Sequence, residues 1–158
     1  MQLTYLDKCQ TGDLIRFRDE TDTTRWAIVG KRSNDFHPIA VLSGEGAPFI
    51  VSAMINGHTI DVFDTYPVLN YGKEFELHPT HAGEAQIGDA PLLRTKGSLV
   101  FADQEKYLVS GVHLQSGVRY FDLKSGDVRG QPGGMIASFK TWSLVHPILA
   151  PRHSLNLL

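Results

Sequence analysis

Apolar and polar positions alternate with a period of two along most of this chain. Leu14-Ile-Arg-Phe-Arg18 places Ile15 and Phe17 on one side and Arg16 and Arg18 on the other, as a half-exposed strand requires. Trp26-Ala-Ile-Val29 and Pro38-Ile-Ala-Val-Leu42 are continuous apolar runs bounded by Gly30, Ser43 and Gly44, which predicts central strands. Gly44-Glu-Gly-Ala-Pro48 reads as a loop and Phe49 to Ile55 as the next strand. Asn56-Gly57 then supplies a tight hairpin turn leading into a partner strand over His58 to Asp64.

The second half has the same style. Leu92 to Arg94, Ser98 to Phe101, Lys106 to Leu114, Val118 to Leu123 and Lys140 to His146 read as strands, with Gln115-Ser-Gly117 as the turn of a second hairpin. Gln131-Pro-Gly-Gly134 is a loop. Helical expectations are confined to short turns near Leu3 to Lys8 and Met135 to Phe139, too brief to persist without packing. The tail from Pro147 to Leu158 has no usable period.

Several markers recur in order. Gly12-Asp13, Trp26 to Gly30, Ser43-Gly44 and His78-Pro79 are followed by Gly88-Asp89, Tyr107 to Gly111, Ser125-Gly126 and His146-Pro147. Cys9-Gln-Thr-Gly-Asp13 and Ala85-Gln-Ile-Gly-Asp89 share Gln, Gly and Asp in the same order. The first copy would carry an insertion around Asn56 to Tyr71, and Phe75 and Trp142 stand out of phase before their His-Pro steps. A repeat of this kind implies a duplicated β unit. The predicted organisation is a first module over 1–79, a linker over 80–84, a second module over 85–147 and a tail over 148–158.

An opening Gly-Asp turn, a strand with aromatic and Val/Ile residues, a hairpin and a closing short strand resemble SH3-like and Tudor-like small β-barrels. The resemblance implies an all-β protein of two related small barrels, or a barrel or sandwich built by internal duplication, with very little helix. It implies no activity, because one fold carries many functions. Modules this small bury only about 60% of their unfolded surface, so the two are expected to pack across a shared apolar face.

Composition adds outer bounds. The 158 residues are 42% hydrophobic, ordinary for a globular protein. No apolar run approaches the roughly 18 to 20 residues of a membrane span, and the first residues lack signal-peptide character, so a cytoplasmic location is expected. Cys9, the single cysteine, excludes an intramolecular disulfide and a Cys-based zinc site and is expected to be small buried filling beside the first turn. The net charge of −2 divides unevenly: residues 1–79 carry 7 Lys/Arg against 11 Asp/Glu, and residues 80–158 carry 8 against 6. Opposite signs favour docking of the halves or of copies of the chain.

Catalytic signatures are absent from the sequence. There is no phosphate-binding glycine loop with lysine, no Gly-x-Ser-x-Gly and no His-Glu-x-x-His. His78-Pro-Thr-His81 has ligand-like spacing, yet its X-Pro step predicts an extended linker, and no metal or cofactor is expected. Asp61 and Asp64, three apart on a strand, point to opposite faces and cannot act as a paired acid and base. Asp13 and Asp89 are read as turn residues that accept backbone N–H bonds. Arg16, Arg18, Arg25, Lys31 and Arg32 form the best basic cluster, blunted by Glu20 and Asp22, so nucleic acid or nucleotide is a minor expectation as partner.

Aromatic residues near turns carry the positive functional content. Trp26, Tyr107 and Trp142 are expected in the core, whereas Tyr66, Tyr71 and Phe36, with Arg16 and Arg18, are the candidate partner-binding residues. The expected function is non-enzymatic binding of another macromolecule, a protein first of all, with homo-oligomers through an exposed edge strand as a further route. In style the chain is similar to viral and bacteriophage accessory or inhibitor proteins. The alternatives are a small-ligand or nucleotide binder using the cleft between modules, and a hydrolase whose site the sequence hides.

Overall fold

The computed structural model describes residues 1–34, 36–53, 62–89, 93–113 and 115–147. Among these residues fourteen strands run in chain order: β1 (Gln2–Tyr5), β2 (Leu14–Arg18), β3 (Thr24–Val29), β4 (Pro38–Val41), β5 (Phe49–Ser52), β6 (Pro67–Asn70) and β7 (Glu76–Pro79), then β8 (Gln86–Asp89), β9 (Leu99–Ala102), β10 (Glu105–Val112), β11 (Gln115–Asp122), β12 (Val128–Arg129), β13 (Met135–Phe139) and β14 (Trp142–Val145). Twelve of them form one mixed sheet in the order β1-β6-β2-β3-β4-β5-β10-β9-β13-β8, with β11 pairing β10 and β12 beside it. The remaining two, β7 and β14, pair with each other. Helix among the described residues is limited to single 3-10 turns at Leu6–Lys8 and Ala82–Glu84. The fold is all-β, and no barrel closes among the described residues.

The period-two pattern decides which side chains go where. In β2, Ile15 and Phe17 are buried, Arg16 is half-buried and Arg18 is exposed. Ile15 and Phe17 join Leu6, Ala27, Val29, Ile39, Val41 and Val51 in a core that belongs to the first half alone. Val100, Tyr107, Val109, Tyr120 and Ile136 form its counterpart in the second half. A third core lies between them: Leu14, Trp26, Ile28 and Leu42 from the first half meet Leu99, Leu108, Phe121, Trp142 and Leu144 from the second. The expected shared apolar face is therefore present, and burying it removes water from surfaces that neither half could cover alone.

The halves also join through backbone. The β5–β10 pairing is parallel and brief, Gly111 opposite Phe49 and Val112 opposite Ile50, reinforced by the His113 N–H donating to the Ile50 carbonyl at 3.0 Å. Elsewhere the pairs in the sheets are antiparallel. Of the two His-Pro segments, read as equivalent ends of a repeat, His78-Pro79 lies on β7, where Ser143 of β14 is opposite His78 and Trp142 opposite Pro79, and His146-Pro147 follows β14 directly.

Other expectations need correction. Met135 to Phe139 is strand β13, inserted between β8 and β9, not a helical turn; neighbouring strands on both sides override a weak local preference. Gly88-Asp89 ends strand β8, with Asp89 opposite Met135, so it is not the counterpart of the Gly12-Asp13 turn. The Gln115-Ser-Gly117 stretch belongs to β11, where a register shift after Gly111 leaves Ser116 and Gly117 as extra residues. Pro67 to Asn70, read as part of an insertion, is β6 between β1 and β2. His78 sits on β7, not in an extended linker. The Asn56-Gly57 hairpin and the tail from 148 lie outside the described residues.

Candidate functional site

Strand β1 is one free end of the large sheet among the described residues. Its residues alternate, so Leu3 and Tyr5 share a face and are 71% and 55% exposed. Register extends that face inward: Leu3 is opposite Leu69, Leu69 opposite Arg16, and Arg16 opposite Trp26. The Arg16 guanidinium lies 5.7 Å from the Trp26 ring centre, a cation-on-aromatic placement. Arg18, one pleat further, pairs with Asp22 at 2.8 Å in the hairpin loop. Leu3, Arg16, Arg18, Thr24, Pro67 and Leu69 line an open groove of about 500 Å³. Arg16 and Arg18 are thus brought together with an apolar strip that the sequence reading missed. The signal was present in Met1-Gln-Leu-Thr-Tyr5, which alternates apolar and polar from its first residue.

The predicted aromatics do not join them. Tyr71 is 8% exposed in the shared core, its ring 5.0 Å from Trp26 and edge-on to His146 at 5.8 Å. Its turn-forming neighbour Gly72 made it look like a loop residue, but the Tyr71 N–H donates to the Leu14 carbonyl at 2.8 Å and draws it inward. Tyr66 is partly buried against the first-half core, its ring 5.4 Å from Phe63 and 6.4 Å from Phe17. Phe36 is exposed, on the loop before β4. The three aromatics form no single surface with the two arginines.

The opposite end of the sheet is β8. Ile87 on β8 and Met135 on β13 are 72% and 60% exposed. Register sets Ile87 opposite Ala137 and Ala137 opposite Phe101, so the apolar face continues inward to Phe101, which meets Phe139 edge-on at 5.3 Å. Lys106 lies over the Phe101 ring at 5.6 Å. Asp89 shares the Ile87 side of β8, and Glu84 stands just before the strand.

A third feature lies where the halves meet. Thr21, Thr23, Arg25, the Gly44-Glu45-Gly46 loop, Lys96 and His113 are among the residues lining an open groove of about 800 Å³. Its floor is organised by Asp19, whose carboxylate accepts from the Thr21 and Thr23 backbone N–H groups, the Thr21 hydroxyl and Arg25 Nε, the last at 2.7 Å. Burial pushes the Asp19 carboxyl up, but these donors outweigh it and hold the group below its usual range. Arg25 Nη1 donates to the Ser43 carbonyl at 3.2 Å, and Lys96 Nζ donates to the Gly46 carbonyl from the other half. Arg25 is therefore neutralised by Asp19 and is not part of an open basic stripe.

Remaining candidates resolve into structural contacts. Asp13 accepts from the Gln10 N–H at 2.8 Å and Asn70 Nδ2 at 2.7 Å, as expected of a turn residue. Cys9 is half-buried, and burial, then the Asp13 charge, push its thiol up to about 11 against a hydrogen bond from Asn70. Asp64 takes Arg32 at 2.6 Å and the buried His37 Nδ1 at 3.1 Å, a loop-anchoring cluster, while Asp61, read on the opposite face of the same strand, lies outside the described residues. His78 pairs with Glu76 at 2.8 Å. Among the described residues no three His, Cys, Asp or Glu side chains are placed to hold a metal, and no helix is long and apolar enough to cross a membrane. Comparison with known proteins finds no match: no family model fits the chain, and no curated protein or solved structure is similar to it.

Proposed function

We propose that this protein is a non-enzymatic interaction protein that binds another protein through the free ends of its large sheet. The observation that carries the reading is the position of its exposed apolar side chains. Among the described residues seven large hydrophobics are exposed, and Met1, Leu3, Tyr5, Ile87 and Met135 belong to the two outer ends of one sheet. A strand edge offers unused N–H and C=O groups, and apolar side chains beside it give an incoming strand something to bury. Arg16 and Arg18 add a preference for acidic residues on the partner. Capture from a native extract tests this: wild-type chain should retain a protein that the Leu3→Asp/Tyr5→Asp variant loses. Equal retention by both would remove β1 from the account.

A second reading, a small polar ligand held between the halves, is favoured by the groove between Arg25 and Lys96. Equilibrium dialysis against nucleotides and sugar phosphates, repeated with Lys96→Ala, tests it. The tandem origin of the chain, as two related small barrels, is supported by one private core per half and by the central strands β3 and β10.

A further inference from the structure

We infer that the partner for the β1 edge is the β8 edge of a second copy of this chain, so that the large sheet continues from one molecule into the next. The inference rests on the interaction reading above and names its occupant. Four observations lead to it.

Among the described residues both strands are terminal in the same sheet, and they are of equal length, four residues each. Backbone groups on β1 are directed suitably. Leu6 N–H donates to the Tyr66 carbonyl, which makes Leu6 a position that faces β6. Alternation then turns Thr4 and Gln2 toward β6 and leaves the N–H and C=O groups of Leu3 and Tyr5 facing outward. Pro67, opposite Tyr5, has no N–H to give and fits that phase.

The side-chain patterns agree as well. Leu3 and Tyr5 share one face of β1 with Gln2 and Thr4 on the other; Ile87 shares one face of β8 with Asp89, and Gln86 and Gly88 take the other. Joining the strands sets Ile87 beside Leu3 or Tyr5 and Gln86 beside Gln2 or Thr4, with Asp89 as the charged residue of the apolar face. Charge selects the pairing. Arg16 and Arg18 lie two strands inward of β1, whereas Asp89 and Glu84 flank β8. With Arg18 offset by Asp22, a β1-to-β1 pairing would turn the Arg16 charges of two copies toward one another, and a β8-to-β8 pairing two acidic sets, so head-to-tail contact is electrostatically preferred. Such a contact uses different surfaces on the two molecules and leaves each end free to recruit another copy, giving rings or open chains.

The test uses the full chain in sedimentation velocity across a wide concentration range. Wild type should form a ladder of species that grows with concentration and recedes at high salt. Leu3→Pro removes an outward N–H, and Ile87→Lys places a cation where Leu3 and Tyr5 of the incoming copy would bury an apolar side chain. Each variant alone should be monomeric, but each keeps one intact edge, so an equimolar mixture should give a one-to-one dimer and nothing larger. Leu3→Ser/Tyr5→Ser leaves the backbone intact and should weaken assembly at least about tenfold, which covers the case of Leu3→Pro failing to fold. A monomeric wild type at every concentration overturns the inference, as does a dimer formed by Ile87→Lys alone, which would mean β1-to-β1 pairing. Capture of a different protein that is lost in Leu3→Asp/Tyr5→Asp, with wild type monomeric, would overturn self-assembly and keep the interaction reading.

Discussion

The Gly126 carbonyl accepts the Lys31 backbone N–H at 2.9 Å, tying the turn after β11 to the end of β3. Gly126 has φ +73°, and a Cβ there would stand 2.4 Å from Thr11 Cγ2 and 2.9 Å from Lys31 N. Both the conformation and the approach demand glycine. Gly126→Ala should therefore cost about 2–4 kcal/mol, combining left-handed strain with overpacking. Urea denaturation would check it; a cost indistinguishable from zero would mean that this junction does not hold the halves.

Asp19 and Arg25 form a buried pair whose side chains are 0% and 11% exposed. Removing one partner strands the other, so Asp19→Ala should cost about 3–5 kcal/mol. The pH dependence follows from the direction of its shift. A carboxyl held below its unfolded value of about 3.9 contributes stability that is complete above that value and is lost as pH falls through the lower folded one. Asp19→Asn should flatten the acid limb of the stability curve in that window, and an unchanged acid limb would assign the acid sensitivity elsewhere.

Trp142 is buried in the shared core, and its Nε1 donates to the Gly97 carbonyl at 2.6 Å. Trp142→Phe keeps an aromatic body but drops this bond, at about 1–3 kcal/mol for an orphaned acceptor. Trp142→Ala should cost about 3–5 kcal/mol through the cavity it opens. Chemical denaturation of the two variants separates the contributions; a Trp142→Phe loss indistinguishable from zero would show the hydrogen bond to be immaterial.

With its thiol pushed up to about 11, Cys9 holds only about one thiolate in a thousand near pH 8. Alkylation by iodoacetamide should be far slower than for a free cysteine peptide at the same pH. The rate should climb steadily to about pH 11, and a plateau near pH 8.5 would contradict the assigned environment.

Tyr71→Ala should reduce stability by about 3–5 kcal/mol, since the ring fills the core between Trp26 and His146. Partner capture measured on folded protein should survive it, in contrast to Leu3→Asp/Tyr5→Asp. Loss of capture without loss of stability would return Tyr71 to the binding surface.

What could be read from the sequence was local. Ile15 and Phe17 against Arg16 and Arg18 follow from alternation alone, and the side of each is observed as read. Trp26 and Trp142 occupy the core as their strands require. Strands β6 and β8 were hidden by turn-like residues: Pro67 opens β6, where a missing N–H does no harm, and Gly88-Asp89 closes β8. Tyr71 was misplaced because its environment is supplied by Trp26 and His146, residues 45 and 75 positions away, which no local window contains. The β5–β10 junction is equally non-local. Like the alternation of Met1 to Tyr5, Asp19 carried an overlooked local signal, an aspartate followed by Thr21 and Thr23 at the spacing that folds a loop around a carboxylate.

The β7–β14 ribbon joins the last strand of the first half to the last strand of the second. During synthesis Leu77 and its neighbours emerge long before Trp142 and Leu144, which complete the same layer. Leu14, Trp26 and Ile28 therefore lack part of their cover until Leu144 has left the ribosome, so this layer is completed only after both halves have been made.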